Sequence, residues 1–182
     1  DTRHWRDVER SVRGCRGIVH LAAVSRVVWA ERDPYACPDT NVGGTQRILR
    51  AAQDSEHAPW VIFASSREVY GEADEVPVSE DAPLGPLNVY GRTKVDGELL
   101  VAAARSRGLS ATVVRLSNVY GSLLDHADRL VPAFARAAAF GLPIRVDGSA
   151  HVFDLTHIDD VTRALLATIA AMDDGRSLPT MH

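Results

Sequence analysis

"WVIFASS" at residues 60–66 is a short run of apolar residues that shows no alternation of polar and apolar positions. Similar runs stand on either side of it in the chain, "GIVHLAA" at 17–23 and "SATVVRLS" at 110–117. Runs of this length and composition are typical of strands that are buried on both faces. The three runs therefore predict the inner strands of a sheet.

Helical patterns separate these strands. "NVGGTQRILRAAQ" fills 41–53, and "NVYGRTKVDGELLVAAARSRG" fills 88–108, where Gly108 provides the stop signal. Strands that alternate with helices need crossover connections, which favour an α/β fold with a doubly wound parallel sheet. Ligands of such sheets bind beyond the carboxyl ends of the strands. We therefore expect "HLAA", "SSREVYG" and "LSNVYG", which follow the three strands, to face one cleft.

The pattern loosens after residue 122. It predicts a helix at about 129–141, a short strand "PIRV" at 143–146 and a helix at about 158–172. We expect a partial dinucleotide-binding domain at 1–121. Residues 122–182 are expected to form part of a smaller substrate-binding region, whose helix at 158–172 returns to the core.

The composition excludes several classes of partner. The 182 residues carry a net charge of −4 and are 46% hydrophobic and 24% charged, so nothing favours nucleic acid or an anionic membrane as a ligand. Cys15 and Cys37 have no metal-type spacing and indicate a reducing compartment, which suggests the cytoplasm. His151 and His157 lie six residues apart without a third ligand, so no metal site is expected.

Three of the four tyrosines, Tyr70, Tyr90 and Tyr120, occur in "VYG" triplets. A catalytic tyrosine near neutral pH needs a fixed cation, because its reference pKa is about 10. Lys94 follows Tyr90 by four residues in a helical pattern, so both side chains lie on one face. Tyr70 and Tyr120 are followed at that spacing by an aspartate and a leucine, and both are interpreted as packing residues, with a place at the edge of the substrate cleft as the alternative for Tyr70. The alternative for Tyr90 is a half-buried aromatic residue beside a surface lysine.

A serine completes a possible catalytic group. Ser65 and Ser66 end the strand at 60–66, where a hydroxyl could hydrogen-bond a substrate oxygen opposite Tyr90. With this group the chain resembles the extended short-chain dehydrogenase/reductases, which include NAD-dependent nucleotide-sugar epimerases and dehydratases. The matching segments are "DTR" (1–3), "HLAA" (20–23), "NVGGT" (41–45), "SSREVYG" (65–71), "YGRTK" (90–94), "RLSNVYG" (115–121) and "FDLTHIDDV" (153–161).

The resemblance implies a role for each matching residue. The implied catalytic residues are Ser66, Tyr90, Lys94 and Glu68. The implied contacts of an NAD cofactor, with NADP not excluded, are Asp1, Leu21, Ala22, Ala23, Asn41, Ser65, Tyr90 and Lys94. The implied substrate contacts are Ser66, Arg67, Asn118 and Arg145. The family also implies a homodimer that pairs the helices at about 41–53 and 88–106.

The redox core of this family leads to several reactions through a 4-keto intermediate. Dehydratases place Asp-Glu after the catalytic hydroxyl, whereas this chain has Arg67 and Glu68. The pair therefore favours an epimerase over a dehydratase and leaves a decarboxylase open. Glu68 could equally be a solvated loop carboxylate. A non-catalytic protein that senses a dinucleotide is a further alternative, against which the intact Ser66, Tyr90 and Lys94 argue.

The chain departs from the family at two places. Phe153 stands where the family has an arginine that grips the substrate's diphosphate, so Arg145 or His151 would have to compensate. Without such compensation, a small carbonyl compound or a steroid-like alcohol is the expected substrate. The glycine-rich pyrophosphate turn, G-x-x-G-x-x-G, does not occur. We therefore expect a fragment that lacks the first two strands, is inactive in isolation and does not reveal the choice between NAD and NADP.

Overall fold

The computed structural model describes residues 1–73, 75–122, 124–146, 148 and 152–182. They form two compact units, one of Asp1–Leu116 with Thr168–His182 and one of Ser117–Ala167. The first unit contains three parallel strands in the order β1 (Gly17–His20), β2 (Trp60–Ser66) and β3 (Ala111–Leu116). The predicted α/β fold with a parallel sheet is confirmed.

Helices connect these strands. The first unit contains α1 (Trp5–Val12), α2 (Val27–Arg32), α3 (Ala36–Pro38), a π-turn (Asp39–Gly43), α4 (Gly44–Asp54), a 3₁₀ turn (Arg67–Val69) and α5 (Val89–Ser106). The predicted helices at 41–53 and 88–108 correspond to α4 and α5. Asn88 caps α5, because its Oδ1 accepts a hydrogen bond from the Gly91 N–H at 2.7 Å.

The core lies between the sheet and the helices α4 and α5. Its buried residues are Leu49, Ala52, Val61, Phe63, Val101, Ala104, Leu109, Ala111 and Val113. Gly97 lets α5 approach β2 closely, because a Cβ at this position would lie 2.4 Å from Cζ of Phe63. The close approach brings the same helix face, with Tyr90 and Lys94, against the sheet.

Helix α1 was not predicted, since charged residues interrupt "WRDVERSV". The apolar residues nevertheless have helical spacing, and Val8 and Val12 pack against Ile48 and Ala51 of α4. Strand β1 ends at His20 instead of the expected residue 23. Past this point, the backbone of Val24 pairs with the side chain of Asn41 and not with a neighbouring strand.

The second unit contains β4 (Asn118–Tyr120) paired in parallel with β5 (Leu155–His157), helix α6 (Leu130–Phe140) and the beginning of α7 (Ile158–Asp173). Helices α6 and α7 agree with the predicted helices at 129–141 and 158–172. The predicted strand at 143–146 is wrong, since no strand is present there. Pro143 has no N–H to donate, and Ile144 and Val146 remain exposed without a pairing strand.

The last turns of α7 belong to the first unit, because residues from Thr168 onward are part of it. Asp173 accepts hydrogen bonds from Trp60 Nε1 at 2.8 Å and from Arg16 Nη2 at 2.6 Å. The chain then runs beside β3, where Met181 bridges Val114 in parallel. The sheet therefore has a fourth pairing segment after the three named strands.

Cys15 and Cys37 are free thiols. Across the described ranges, none of the helices has the length and apolar character needed to cross a membrane. The same residues contain no group of three or more His, Cys, Asp and Glu side chains that could hold a metal ion.

Candidate active site

Lys94 is the only lysine in the sequence, and its side chain is buried with 4% exposure. Its Nζ donates a hydrogen bond to the carbonyl oxygen of Ala64 at 2.7 Å. It lies 4.9 Å from the ring centroid of Phe63 and 5.7 Å from that of Tyr90. Burial lowers the pKa of Lys94 to about 8. The lysine is therefore a cation held at the phenol ring by the protein interior.

Tyr90 lies one turn before Lys94 on α5 and is also buried. It packs with Ala30 and Cys37, with Val24 among the partly buried neighbours. The alternative of a surface lysine beside a half-buried tyrosine is wrong, because both side chains are inside the protein. The two residues that sequence spacing predicted to share a helix face are together there.

The two serines at the end of β2 have different surroundings. Ser66 Oγ accepts a hydrogen bond from the Glu68 N–H at 3.2 Å and thereby caps the 3₁₀ turn. Ser65 Oγ donates a hydrogen bond to Glu98 Oε1 at 2.5 Å. Ser65 therefore has no hydroxyl proton left for a ligand, and its expected contact with a cofactor stays a prediction.

Glu68 is tied to the helix that carries Tyr90. Its Oε2 accepts a hydrogen bond from Asn88 Nδ2 at 2.8 Å, and its Oε1 pairs with Arg67 Nη2 at 2.8 Å. Its side chain is only 22% exposed. Glu68 is therefore not a solvated loop carboxylate, since both oxygens have protein partners.

Asn41 lies in the π-turn and connects the segment after β1 to α5. Its Oδ1 accepts from the Val24 N–H at 2.7 Å, and its Nδ2 donates to the Val24 carbonyl at 3.2 Å and to Thr93 Oγ1 at 2.9 Å. Thr93 Oγ1 in turn donates to the Tyr90 carbonyl at 2.7 Å. One buried amide thus connects two segments that the family resemblance assigned to the same site.

The residues after β1 are accessible. Leu21 is 56% exposed, Ala22 is exposed and Ala23 is half-buried. β1 and β2 are parallel neighbours, so these three residues and Ser66 lie beyond the same edge of the sheet. The segments "HLAA" and "SSREVYG" therefore face the same side.

His20 is a buried member of the site that sequence reasoning missed. Its Nε2 lies 2.9 Å from Thr45 Oγ1, and Thr45 Oγ1 donates to the Asn41 carbonyl at 2.5 Å. The hydroxyl must therefore accept from a protonated Nε2. Burial, together with the charge of Lys94, lowers the pKa of His20 to about 4, which keeps the ring neutral at physiological pH.

Arg115 forms a second buried feature that the sequence did not reveal. It binds Glu98 with two hydrogen bonds, Nε to Oε1 at 3.0 Å and Nη2 to Oε2 at 2.7 Å. Its Nη1 donates to the Tyr70 hydroxyl at 2.8 Å, and that hydroxyl lies 2.9 Å from Nδ1 of His182. The hydrogen bonds of Glu98 raise the pKa of Arg115, so the guanidinium stays charged. Tyr70 is a buried, hydrogen-bonded member of this network, and its interpretation as a packing residue stays a prediction.

The remaining predicted residues are distributed over both units. In the first unit, the Asp1 carboxylate accepts hydrogen bonds from Arg3, including one from Nη2 at 2.7 Å. In the second unit, Asn118 Nδ2 donates to the Asp154 carbonyl at 3.1 Å, while Arg145 and Phe153 are exposed. His151, the other residue expected to compensate for Phe153, lies outside the described residues.

Comparison with known proteins defines the class. Residues 1–180 match the model of the NAD dependent epimerase/dehydratase family, and the chain belongs to this family. A dTDP-glucose 4,6-dehydratase of Streptomyces griseus is 37% identical over 170 residues, which cover 92% of this chain and 51% of the dehydratase. A UDP-glucose 4-epimerase of Lactobacillus helveticus is 33% identical over 187 residues, covering 91% of this chain and 56% of the epimerase.

A solved structure agrees with the fold. The crystal structure of UDP-glucose 4-epimerase from Brucella ovis in complex with NAD matches with a TM-score of 0.87 and 26% identity, covering 100% of this chain and 61% of that chain. The parallel sheet is therefore of the Rossmann type that such enzymes share. The chain spans about half the length of the curated relatives described above.

Proposed function

We propose that the protein is an NAD-dependent epimerase that acts on a nucleotide-sugar through a transient 4-keto intermediate. The observation that carries the proposal is the buried Lys94 at the ring of Tyr90, with a pKa lowered to about 8. A cation in this position favours the phenolate, so Tyr90 can take the proton of a sugar hydroxyl and later return it. Ser66 holds the same oxygen from the end of β2.

The residues of the first unit fit a dinucleotide. The Lys94 ammonium has three N–H donors, and within the described residues its one hydrogen bond goes to Ala64, which leaves donors for ribose hydroxyls. Leu21 offers an exposed apolar surface beyond β1. When bound, NAD would accept a hydride from the sugar carbon in the first step. The reduced cofactor would give that hydride back in the return step. The residues proposed to hold it are Asp1, Leu21, Ala22, Ala23, Asn41, Ser65, Tyr90 and Lys94, and NADP remains an alternative.

On the substrate side we propose Ser66, Arg67, Asn118 and Arg145. The domain limits 1–121 and 122–182 belong to the same proposal. We further propose a small-molecule partner, without nucleic acid or membrane, a cytoplasmic location and a homodimer through the helices at 41–53 and 88–106. Phe153 presents a phenyl ring where a diphosphate would need a guanidinium, so Arg145 is proposed to supply that charge.

A dehydratase is the second candidate, favoured by the 37% identity to the dTDP-glucose 4,6-dehydratase. Loss of water from the sugar needs an acid and a base beside the catalytic hydroxyl, and here the pair is Arg67 and Glu68. Proton transfer by Glu68 would have to break its bonds to Asn88 and Arg67. These bonds favour the epimerase over the dehydratase, while a decarboxylase remains the other alternative.

The test uses the whole protein as it is encoded, with NAD and either UDP-glucose or dTDP-glucose, and identifies the product by NMR. An epimerase gives the sugar inverted at C4, whereas a dehydratase gives a 4-keto-6-deoxy sugar. Tyr90→Phe should lower kcat by roughly 10²- to 10⁴-fold, the usual contribution of an acid–base group. The matched control is Tyr120→Phe in the other "NVYG" triplet, which should remain active. The proposal fails if neither nucleotide-sugar is converted or if Tyr90→Phe is fully active.

A further inference from the structure

The face of α5 that packs on the sheet carries a third polar residue after Tyr90 and Lys94. Glu98 follows Lys94 by four residues, so the three side chains stand above one another, and all three are buried. Tyr90 and Lys94 are already explained by the proposed chemistry. Glu98 is not, although a buried carboxylate on this face is costly unless it is paired.

Glu98 joins two neighbouring strands. Its Oε1 accepts from Ser65 Oγ at 2.5 Å and from Arg115 Nε at 3.0 Å, and its Oε2 accepts from Arg115 Nη2 at 2.7 Å. Ser65 and Arg115 are register partners in β2 and β3. One carboxylate of the helix therefore binds a pair of side chains that lie next to each other across the sheet.

Ser65 directly precedes Ser66, the residue proposed to orient the substrate oxygen. Rotation of the backbone at the end of β2 would move both serines, because consecutive residues share a peptide plane. The Ser65 hydroxyl is fixed at the helix by a charge-assisted hydrogen bond, the stronger kind in a buried site. The hydrogen bond between Ser65 and Glu98 consequently fixes the position of Ser66 relative to α5.

We propose that Glu98 is a positioning residue, which through Ser65 holds the segment with Ser66 in register with the helix that carries Tyr90 and Lys94. This inference rests on the proposed function. Arg115 donates two hydrogen bonds to the carboxylate, which also accepts the hydrogen bond of the Ser65 hydroxyl. Glu98 does not touch the substrate in this arrangement and acts only through its neighbour.

The charge of Glu98 has a second effect on the same face. Burial lowers the pKa of Lys94, and against this larger effect Cys37 on α3 and then Glu98 raise it. His20 on β1 is neutral at physiological pH, and Arg115 balances Glu98 from β3. The carboxylate therefore also helps Lys94 to remain a cation.

Ser65→Ala separates positioning from simple stabilisation, because it removes the hydroxyl and leaves the ion pair of Glu98 and Arg115 intact. We expect kcat to fall about 10- to 100-fold, the effect of a small displacement of a catalytic group. Ser106→Ala, at an exposed serine of the same helix, is the matched control and should behave as the wild type.

A double-mutant cycle tests whether Glu98 acts through Ser65. If it does, adding Ser65→Ala to Glu98→Met, which removes both acceptor oxygens, should change kcat by less than about twofold. Two independent effects would multiply instead, and that result would overturn the inference.

Amide hydrogen exchange gives a readout that needs no turnover. In Ser65→Ala, exchange at residues 66–68 should accelerate at least about tenfold, while exchange at 61–63 in the same strand stays unchanged. Equal acceleration at both places, or none at 66–68, would refute the positioning role. If the wild type converts neither nucleotide-sugar, the proposed function fails, and the exchange pattern alone decides the inference about Glu98. If exchange responds as expected but kcat of Ser65→Ala equals that of an active wild type, the inference is likewise overturned.

Discussion

Replacement of Lys94 by methionine removes one buried charge while keeping a side chain of similar length. The pKa of Lys94 is lowered from 10.5 to about 8, a difference of about 2.5 pH units. Each unit corresponds to about 1.4 kcal/mol, so burial of the ammonium group opposes folding by about 3 kcal/mol at neutral pH. The methionine variant does not bear this cost, although it also loses the hydrogen bond to the Ala64 carbonyl.

The pH dependence separates the charge from the lost hydrogen bond. Between about pH 8 and pH 10.5 the folded lysine has released its proton, whereas the unfolded lysine still holds it. The unfolded state then binds more protons, so the stability of the wild type rises with pH over this window. From pH 7 to pH 10 the unfolding free energy of the wild type should therefore rise by roughly 2 to 3 kcal/mol relative to that of Lys94→Met.

The assay is urea unfolding of the whole protein at pH 7 and pH 10 without added NAD. Arg92→Met, at an exposed position of the same helix, is the control and should show no such change. NMR of labelled lysine gives an independent value, because the resonance missing from Lys94→Met is that of Lys94. A difference that stays within about 0.5 kcal/mol between the two pH values, or a lysine that titrates near 10.5, would refute the reasoning.

Three further changes test other parts of the site by urea unfolding. The pKa of His20 is lowered to about 4 in the folded protein, so the unfolded protein takes up the proton at a higher pH. The unfolding free energy of the wild type should therefore fall by up to about 3 kcal/mol between pH 6.5 and pH 4, and His20→Gln should lack this loss. Gly97→Ala should cost about 1 to 3 kcal/mol, because its Cβ would lie 2.4 Å from Phe63; equal stability would contradict the close packing. Asn41→Leu leaves both backbone groups of Val24 unpaired and should cost at least about 2 kcal/mol, and Asn41→Asp should not restore the stability, because it turns a buried carboxylate oxygen toward the Val24 carbonyl.

The elements predicted from the sequence share strong local patterns. Strand β2 is an uninterrupted apolar run and α5 has a capping asparagine before a long helical stretch, so local chemistry specified them. Helix α1 was missed because its apolar residues are few and surrounded by charges. The segment at 143–146 has β-branched and apolar residues without a partner strand, and pairing, which is non-local, decides whether such a segment becomes a strand.

For the candidate site, spacing within one helix predicted the pairing of Tyr90 with Lys94. It could not predict that Lys94 is buried, because burial depends on how closely α5 approaches β2. The partners of Glu98 were also invisible, since Ser65 and Arg115 are far from it in sequence and meet it only through the strand register. His20 was missed for the same reason, because its contact to Thr45 depends on the packing of α4 against β1.

The alternation of strands and helices, the family and the residue types at the strand ends could all be read from residue order, because they depend on local pattern and on the order of motifs. The electrostatics of the site could not, because they depend on the packed fold. The depressed pKa of Lys94, the neutral His20 and the raised pKa of Arg115 all arise from burial and from neighbours that are distant in the chain. Charge energies depend on distance and on exclusion of water, and both are set only when the helices close on the sheet.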